Sequence, residues 1–168
     1  MNDFTPDEGW GQIRPVAEKD LADLARLYTH YALNTVYTYF DRPAGEGYMR
    51  SLLCEKGHYC AVAIAPDGLL MGYVHISPGF GIYGKRGEVA IYLFPEYTGK
   101  GMGKRLLRHG EDWCRAQGLH TLAASVCTEN RPSLRLFSSG DYTPTSLRHN
   151  AATKFGRSLH TQSFIKKL

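Results

Sequence analysis

A glycine-rich stretch in the middle of the chain most narrowly limits what the chain can fold into. The stretch runs Thr98-Gly99-Lys100-Gly101-Met102-Gly103-Lys104, between a predicted strand that ends near Phe94 and a predicted helix that begins within the stretch. Glycine permits positive φ, and because it has no Cβ a ligand can approach its backbone closely. Backbone N–H groups at the start of the helix then point into one concavity, which suits a pyrophosphate.

Two other phosphate-binding motifs compete with this interpretation. A Walker loop needs Gly five residues before the Gly103-Lys104 pair and Ser or Thr after it, but the chain has Thr98 and Arg105 at these positions. A dinucleotide fingerprint matches residues 79–84, yet a predicted strand follows it rather than the helix that the ligand requires. The sequence therefore favours neither an NTPase nor a dinucleotide-binding domain.

The remainder of the chain is predicted to form one alternating series of helices and strands. Apolar periodicity predicts strands over 12–16, 58–65, 69–76, 88–94 and 122–126, a last pair of strands within 142–168, and helices over 18–34, from the glycine stretch onward, and over 132–139. The turn residues Pro66-Asp67-Gly68 predict a hairpin. With 168 residues, 43% of them hydrophobic, we expect a single domain over 1–168, a poorly ordered tail over 1–10, and a mixed α/β fold with a largely antiparallel sheet.

The distribution of charge and the cysteines indicate which ligands and which cellular compartment to expect for this chain. The formal charge is +4, and six basic residues crowd the middle of the chain, which indicates either a solvated face or an anionic ligand: Lys85, Arg86, Lys100, Lys104, Arg105 and Arg108. Aromatic and basic residues do not alternate along a strand, and no apolar run is membrane-spanning, so we expect neither nucleic acid nor membrane as a partner. Four cysteines without a CxxC pair predict reduced thiols, no metal and a cytoplasmic protein.

Several fragments, in this order, resemble the GNAT acyltransferases, and within them the phosphinothricin and methionine sulfoximine acetyltransferase-like group. They are Ile13-Arg14-Pro15, Ala32-Leu33-Asn34-Thr35, Glu88 with Ile91-Tyr92, Gly99 to Gly103, Asn130 and Lys154-Phe155-Gly156. The resemblance covers nearly the whole chain. It implies a GNAT fold, with a mostly antiparallel sheet flanked by helices and with strands splayed at an acetyl-CoA site. It also implies acetyl-CoA as co-substrate, no metal, and a homodimer.

The resemblance assigns residues to the acetyl-CoA site. Tyr92 and Leu93 would contact the pantetheine arm, and a backbone N–H there would polarise the thioester carbonyl. The pyrophosphate would be received by the glycine stretch, namely Gly99, Lys100, Gly101, Met102, Gly103 and Lys104. Asn130 would hold the pantetheine or the thiol end, although its position ahead of a short helix fits a helix cap equally well.

Catalysis needs a base, since an aliphatic amine with a pKa of about 10 is mostly protonated near neutrality. Glu88 stands in the family's general-base position, and the alternative is an exposed glutamate at a strand end. No general acid is assigned, because Phe137 replaces the tyrosine that many GNAT enzymes carry. Tyr142 is a candidate substitute, and a thiol with a pKa of about 8.5 can also leave as the anion.

The acceptor implied by the resemblance is a small-molecule amine, an amino acid or an amino-acid-like toxin, which attacks directly in a ternary complex. Lys85 and Arg86 either bind the carboxylate of this acceptor or are solvated loop charges. Phe40, together with Val36, Phe80 and Tyr83, either lines an apolar wall of the acceptor site or belongs to ordinary packing. One alternative is a protein amine or a polyamine, which the charges of Lys85 and Arg86 disfavour. Another is an acyl-CoA-binding module without turnover, against which Glu88 argues.

Overall fold

A computed structural model describes residues 9–79 and 85–168 of the chain. Its elements are β1 (Gln12–Pro15), a 3-10 turn (Glu18–Asp20), α1 (Leu21–Asn34), α2 (Glu46–Leu53), β2 (Tyr59–Ile64), β3 (Leu70–Pro78), β4 (Arg86–Leu93), a second 3-10 turn (Pro95–Tyr97), α3 (Met102–Ala116), β5 (Thr121–Cys127), α4 (Arg131–Ser139), β6 (Thr143–Lys154) and β7 (Arg157–Lys167). Within the described residues, seven strands form one sheet in the order β1-β2-β3-β4-β5-β7-β6. Only the β4–β5 pair in this sheet is parallel, so the expected mixed, mostly antiparallel sheet is confirmed.

The sheet separates two apolar layers. Successive side chains of a strand point to opposite faces, and in β3 this places Val74 against the α3 side and Tyr73 against the α1 side. The α3 layer contains Leu106 and Phe137, whereas the α1 layer contains Leu24 and other residues of α1 and α2. The two faces of β4 are therefore covered by different helices.

The local patterns predicted most elements and missed one. The hairpin of β2 and β3, the helix after the glycine stretch and the terminal strand pair are confirmed. Helix α2 was not predicted, because Gly45 and Gly47 are loop signals and its buried face consists of only Met49 and Leu53. Phe80 and Tyr83, proposed above as wall residues, lie outside the described part of the chain.

All four cysteines lie in the described part of the chain, and none of them forms a disulfide. Cys60, Cys114 and Cys127 are buried, Cys54 is exposed, and all four are free thiols. No helix in the described ranges is long and apolar enough to span a membrane. Nor do these ranges contain a cluster of three or more His, Cys, Asp or Glu side chains that could hold a metal ion.

A buried ion pair fixes the start of α1 against β1. Arg14 donates two hydrogen bonds to Asp20, Nη1 to Oδ2 at 2.7 Å and Nη2 to Oδ1 at 2.8 Å, and the Ala17 N–H donates to Oδ2 at 2.7 Å. Asp20 is only 6% exposed. Burial by itself raises the pKa of Asp20, but the hydrogen bonds from Arg14 and Ala17 outweigh it and the net pKa is lowered.

We expect Asp20→Asn to lower the free energy of unfolding by about 2 kcal/mol near neutral pH, since it removes charge-assisted hydrogen bonds. Because the pKa of Asp20 is lower in the folded protein, its contribution is complete above the unfolded pKa of about 3.9 and is lost as the pH falls through the folded value. Denaturant unfolding should show the difference between wild type and variant shrinking below about pH 4. Asp23→Asn, which removes the exposed pair with Arg26, should change stability by less than about 0.5 kcal/mol, and equal losses in the two variants would contradict this assignment.

Candidate functional site

Strands β4 and β5 diverge and open a gap in the sheet. They pair in parallel over three positions, Arg86 with Thr121, Gly87 with Leu122 and Glu88 with Ala123. Beyond Glu88, β4 continues to Leu93 beside β3, while β5 continues to Cys127 beside β7. The splayed strands expected from the sequence are therefore present, and the gap begins next to Glu88.

The ladder between β3 and β4 determines which backbone groups of β4 face the gap. The Gly79 N–H donates to the Arg86 oxygen and the Phe94 N–H to the Met71 oxygen, both at 2.9 Å. Hydrogen-bonded pairs alternate along an antiparallel ladder, so every second pair between these two ends faces β3, including Tyr73 with Tyr92. The backbones of Val89, Ile91 and Leu93 consequently face the gap.

This alternation separates the two β4 residues that the resemblance assigns to the pantetheine arm. Leu93 presents its backbone to the gap, but the backbone of Tyr92 belongs to the β3 ladder. The neighbouring N–H that faces the gap is that of Ile91. Tyr92 contributes its ring, which packs on the α1 side of the sheet against Tyr28 at 5.5 Å and Tyr73 at 5.4 Å between ring centroids.

The glycine stretch lies at the open end of this gap, directly after β4. Gly99 and Gly101 have φ of 72° and 91°, a region that L-residues with a Cβ rarely adopt. The first hydrogen bond of α3 runs from the Arg105 N–H to the Gly101 oxygen at 3.2 Å. The N–H groups of residues 102–104 therefore have no acceptor within the helix, and with the exposed side chains of Lys100 and Lys104 beside them they make a candidate anion site.

Helix α4 forms the opposite side of the same entrance. A Cβ built at Gly103 would lie 3.6 Å from Leu136 of α4 and 3.7 Å from Leu93. Asn130 caps α4, since its Oδ1 accepts a hydrogen bond from the Ser133 N–H at 3.2 Å. The cap is thus present, and it uses the carbonyl end of the Asn130 amide while the NH₂ end is still available as a donor. Backbone donors, lysines and this amide fit a pantetheine arm joined to a pyrophosphate.

Glu88 occupies the other end of the gap. Its side chain is 47% exposed, and the Arg86 Nη2 lies 4.0 Å from its Oε1. Glu88 is therefore exposed at the start of the strand and not buried. Exposure at a strand end was the alternative that the sequence left open for this residue. Lys85 and Arg86 are also exposed, and the Lys85 carbonyl accepts from the His120 N–H at 2.9 Å, which holds this edge of β4 against β5.

A polar cavity lies on the α1 side of the sheet. Its volume is about 320 Å³, and it is lined by Asn34, Thr35, Val36, Tyr37, Glu129, Phe155 and Arg157. Arg157 Nη2 lies 3.2 Å from Glu129 Oε2, so the lining carries both charges. Val36 is buried against Cys127 and Leu159. Phe40 is outside this lining, because its ring stacks on Tyr48 at 4.6 Å.

Phe137, which replaces the expected tyrosine, and Tyr142, the candidate substitute for the general acid, both lie in the apolar layer on the α3 side. Phe137 is buried and packs against Tyr142 and Phe164. Tyr142 is also buried, which raises its pKa, and its ring lies 5.4 Å from the Nζ of Lys166, a residue that is bonded to Glu111. Glu111 is nine residues, about 13 Å, along α3 from Met102 at the entrance. Tyr142 therefore lies away from the entrance.

One hydroxyl that the sequence did not single out does reach the gap. Tyr31, in the last turn of α1, donates from its OH to the Leu93 oxygen at 2.7 Å. Its spacing from Tyr28 is a helical i, i+3 relation, which by itself indicates ordinary packing. No local signal could have identified the contact, since it joins residues 62 positions apart.

Known proteins share both the sequence pattern and the fold of this chain. The pattern of the Acetyltransferase (GNAT) family matches residues 22–140. An N-acetyltransferase of Streptomyces griseus is 33% identical over 167 residues, covering 94% of this chain and 86% of the relative. An L-methionine sulfoximine/L-methionine sulfone acetyltransferase of Salmonella typhimurium is 29% identical over 153 residues, covering 86% and 87%. A crystal structure of a phosphinothricin acetyltransferase from Sinorhizobium meliloti in complex with AcCoA matches with a TM-score of 0.86 and 28% identity, covering 94% and 88%.

Proposed function

Because this chain belongs to the GNAT acetyltransferase family and is an acetyl-CoA-dependent N-acetyltransferase, we propose that its acceptor is the α-amine of an amino acid or of an amino-acid-like toxin. The observation that carries the proposal is the cavity beside the β4–β5 gap, which contains a cation and an anion, Arg157 and Glu129. Such a lining complements a zwitterion. The related methionine sulfoximine and phosphinothricin acetyltransferases support the same class of acceptor.

The two substrates reach the gap from opposite faces of the sheet. In β5, Leu122, Ala124 and Val126 point to the α3 side, so Cys127, which adjoins the acceptor cavity, points to the α1 side. The glycine stretch and α4 bound the α3 side of the entrance. We place the pyrophosphate on residues 99–104, the pantetheine arm along the backbones of Leu93 and Ile91, and Asn130 on the arm's other side.

On the acceptor side, we assign the carboxylate to Arg157, which belongs to the cavity lining. Lys85 and Arg86 are exposed at the start of β4, where Arg86 pairs with Thr121 at the other end of β5 from the cavity, so they are not part of this lining. Phe40 does not line the cavity, and we assign it an indirect role: its ring stacks on Tyr48 and so supports the loop that follows α1. An acceptor held in this way attacks acetyl-CoA directly in a ternary complex, with no acyl group on the protein.

Glu88 removes the proton from the acceptor amine in this proposal. Ile91 is three positions further along β4, a distance of about 10 Å along the strand. Water molecules must therefore carry the proton between the amine and the carboxylate, and the 47% exposure of Glu88 allows water to reach it.

Release of free thiol from acetyl-CoA tests the proposal. The purified protein is presented separately with the twenty amino acids, methionine sulfoximine, phosphinothricin, spermidine and short peptides, and each product is identified by mass. We expect release with a few related amino acids. Release only with spermidine or peptides would overturn the acceptor class, and tight acetyl-CoA binding without release from any acceptor would support a binding module.

A further inference from the structure

Tyr31 is held rigidly at the end of α1. Its backbone carbonyl accepts two hydrogen bonds from Thr35, one from the N–H at 3.2 Å and one from Oγ1 at 2.9 Å. Its ring makes edge contacts with Tyr92 at 5.4 Å and with His30 at 5.3 Å, and it lies 6.3 Å from Tyr37. Contacts on several sides leave the ring few orientations, so its hydroxyl is pre-positioned.

The hydroxyl of Tyr31 ends at the wall of the β4–β5 gap. It donates to the Leu93 oxygen at 2.7 Å, and the alternation of the β3–β4 ladder directs that carbonyl into the gap. Leu93 lies between the glycine stretch and Ile91 along the chain. A pantetheine arm that follows β4 from the pyrophosphate to Ile91 must pass this point, so the Tyr31 hydroxyl lies on the proposed path of the arm, two positions before Ile91.

The chemistry of this phenol suits a proton donor. Burial raises the pKa of Tyr31, and the nearby Tyr37 and Glu96 raise it further. The group therefore keeps its proton near neutrality. Phe137 has no hydroxyl, and Tyr142 lies beside Glu111 on the far part of α3, so neither competes for the role.

We propose that Tyr31 is the general acid that protonates the sulfur of coenzyme A as the acyl group leaves. The acceptor nitrogen forms a bond to the thioester carbonyl carbon, the carbon–sulfur bond breaks, and its electron pair goes to sulfur. The Tyr31 hydroxyl turns from the Leu93 oxygen to the sulfur and transfers its proton. The acceptor ammonium loses one proton to Glu88 before the attack, and the bonded nitrogen loses a second proton as the amide forms. One of these two protons reaches the phenolate through water and the other is released to solvent, so the products are the amide, the free thiol and one proton. The assignment rests on the proposed path of the arm along β4.

The test compares two acyl donors that differ in one atom, acetyl-CoA and its oxygen ester analogue. An alkoxide is a far poorer leaving group than a thiolate and depends more on protonation. Tyr31→Phe keeps the ring and removes the hydroxyl, so we expect kcat to fall about 10²-fold with acetyl-CoA and about 10³-fold or more with the oxygen ester, with KM for both unchanged. Equal losses with both donors would show a packing role and overturn the proposal.

Tyr59→Phe is the matched control. Tyr59 is a part-buried tyrosine whose hydroxyl bonds to His109 Nε2 at 2.8 Å, and it belongs to β2, which β3 separates from β4 and the gap. This variant should behave as wild type with both donors. A second readout needs no turnover: bound coenzyme A is titrated by the ultraviolet absorbance of its thiolate. A hydroxyl that donates to the sulfur lowers the thiol pKa, so the pKa should be higher in Tyr31→Phe, and identical titrations would contradict the assignment even if no acceptor were found.

Discussion

Replacing Glu88 with glutamine is expected to lower the rate of acetylation by about 10²- to 10⁴-fold, the contribution typical of a general base, while leaving acetyl-CoA affinity unchanged. Glutamine has nearly the shape of glutamate but cannot take a proton. Glu88 lies at the end of the gap away from the glycine stretch, so the binding of the pyrophosphate should not depend on it. Steady-state rates and equilibrium binding of acetyl-CoA, measured on the same preparations, separate the two effects.

The loss in Glu88→Gln should depend on pH in a defined direction. Below the pKa of the acceptor, about 10 for an aliphatic amine, the base has to remove a proton and the variant is slow. As the pH approaches that value the amine loses its proton to solvent, and the two rates should converge. Glu55→Gln serves as the control because Glu55 is an exposed acid before β2. Equal rates for Glu88→Gln and wild type at neutral pH would remove Glu88 from the mechanism.

Gly101→Val is expected to weaken acetyl-CoA binding by about 10- to 100-fold, which corresponds to the loss of one charge-assisted hydrogen bond from the loop to the pyrophosphate. Gly101 has φ of 91°, and a β-branched residue there is forced toward negative φ. The N–H groups of the first turn of α3 then rotate away from the ligand. Calorimetric titration with coenzyme A measures the affinity directly.

Gly118→Val is the matched control for Gly101→Val. Gly118 follows the other end of α3, has φ of 71°, and, like Gly101, has no atom within 4 Å of an added Cβ. The two variants therefore share the backbone strain and differ only in their distance from the pyrophosphate loop. Similar losses of stability with weaker binding in Gly101→Val alone would support the assignment, and weaker binding in both would indicate a general effect on the fold.

Local patterns identified those elements whose burial is periodic in sequence. The hairpin of β2 and β3 was predictable because turn chemistry at residues 66–68 separates two apolar runs, and α3 because Leu106, Leu107 and Cys114 repeat at helical spacing. Helix α2 escaped prediction because a short helix stabilised by tertiary packing carries a weak local signal. The exposure of Glu88 was also left open, since strand position alone does not determine what covers a side chain.

The anion-binding loop and the family could be inferred from the chain alone, because positive φ, a missing Cβ and a helix start are local requirements that glycine spacing records directly. The proposed general acid, Tyr31, and the backbone N–H that faces the gap could not be inferred in this way. Whether Ile91 or Tyr92 faces the gap depends on the register between β4 and β3, and a register belongs to two strands together. Tyr31 meets Leu93 across 62 positions only because α1 packs on the sheet, and such a contact exists only in the folded chain.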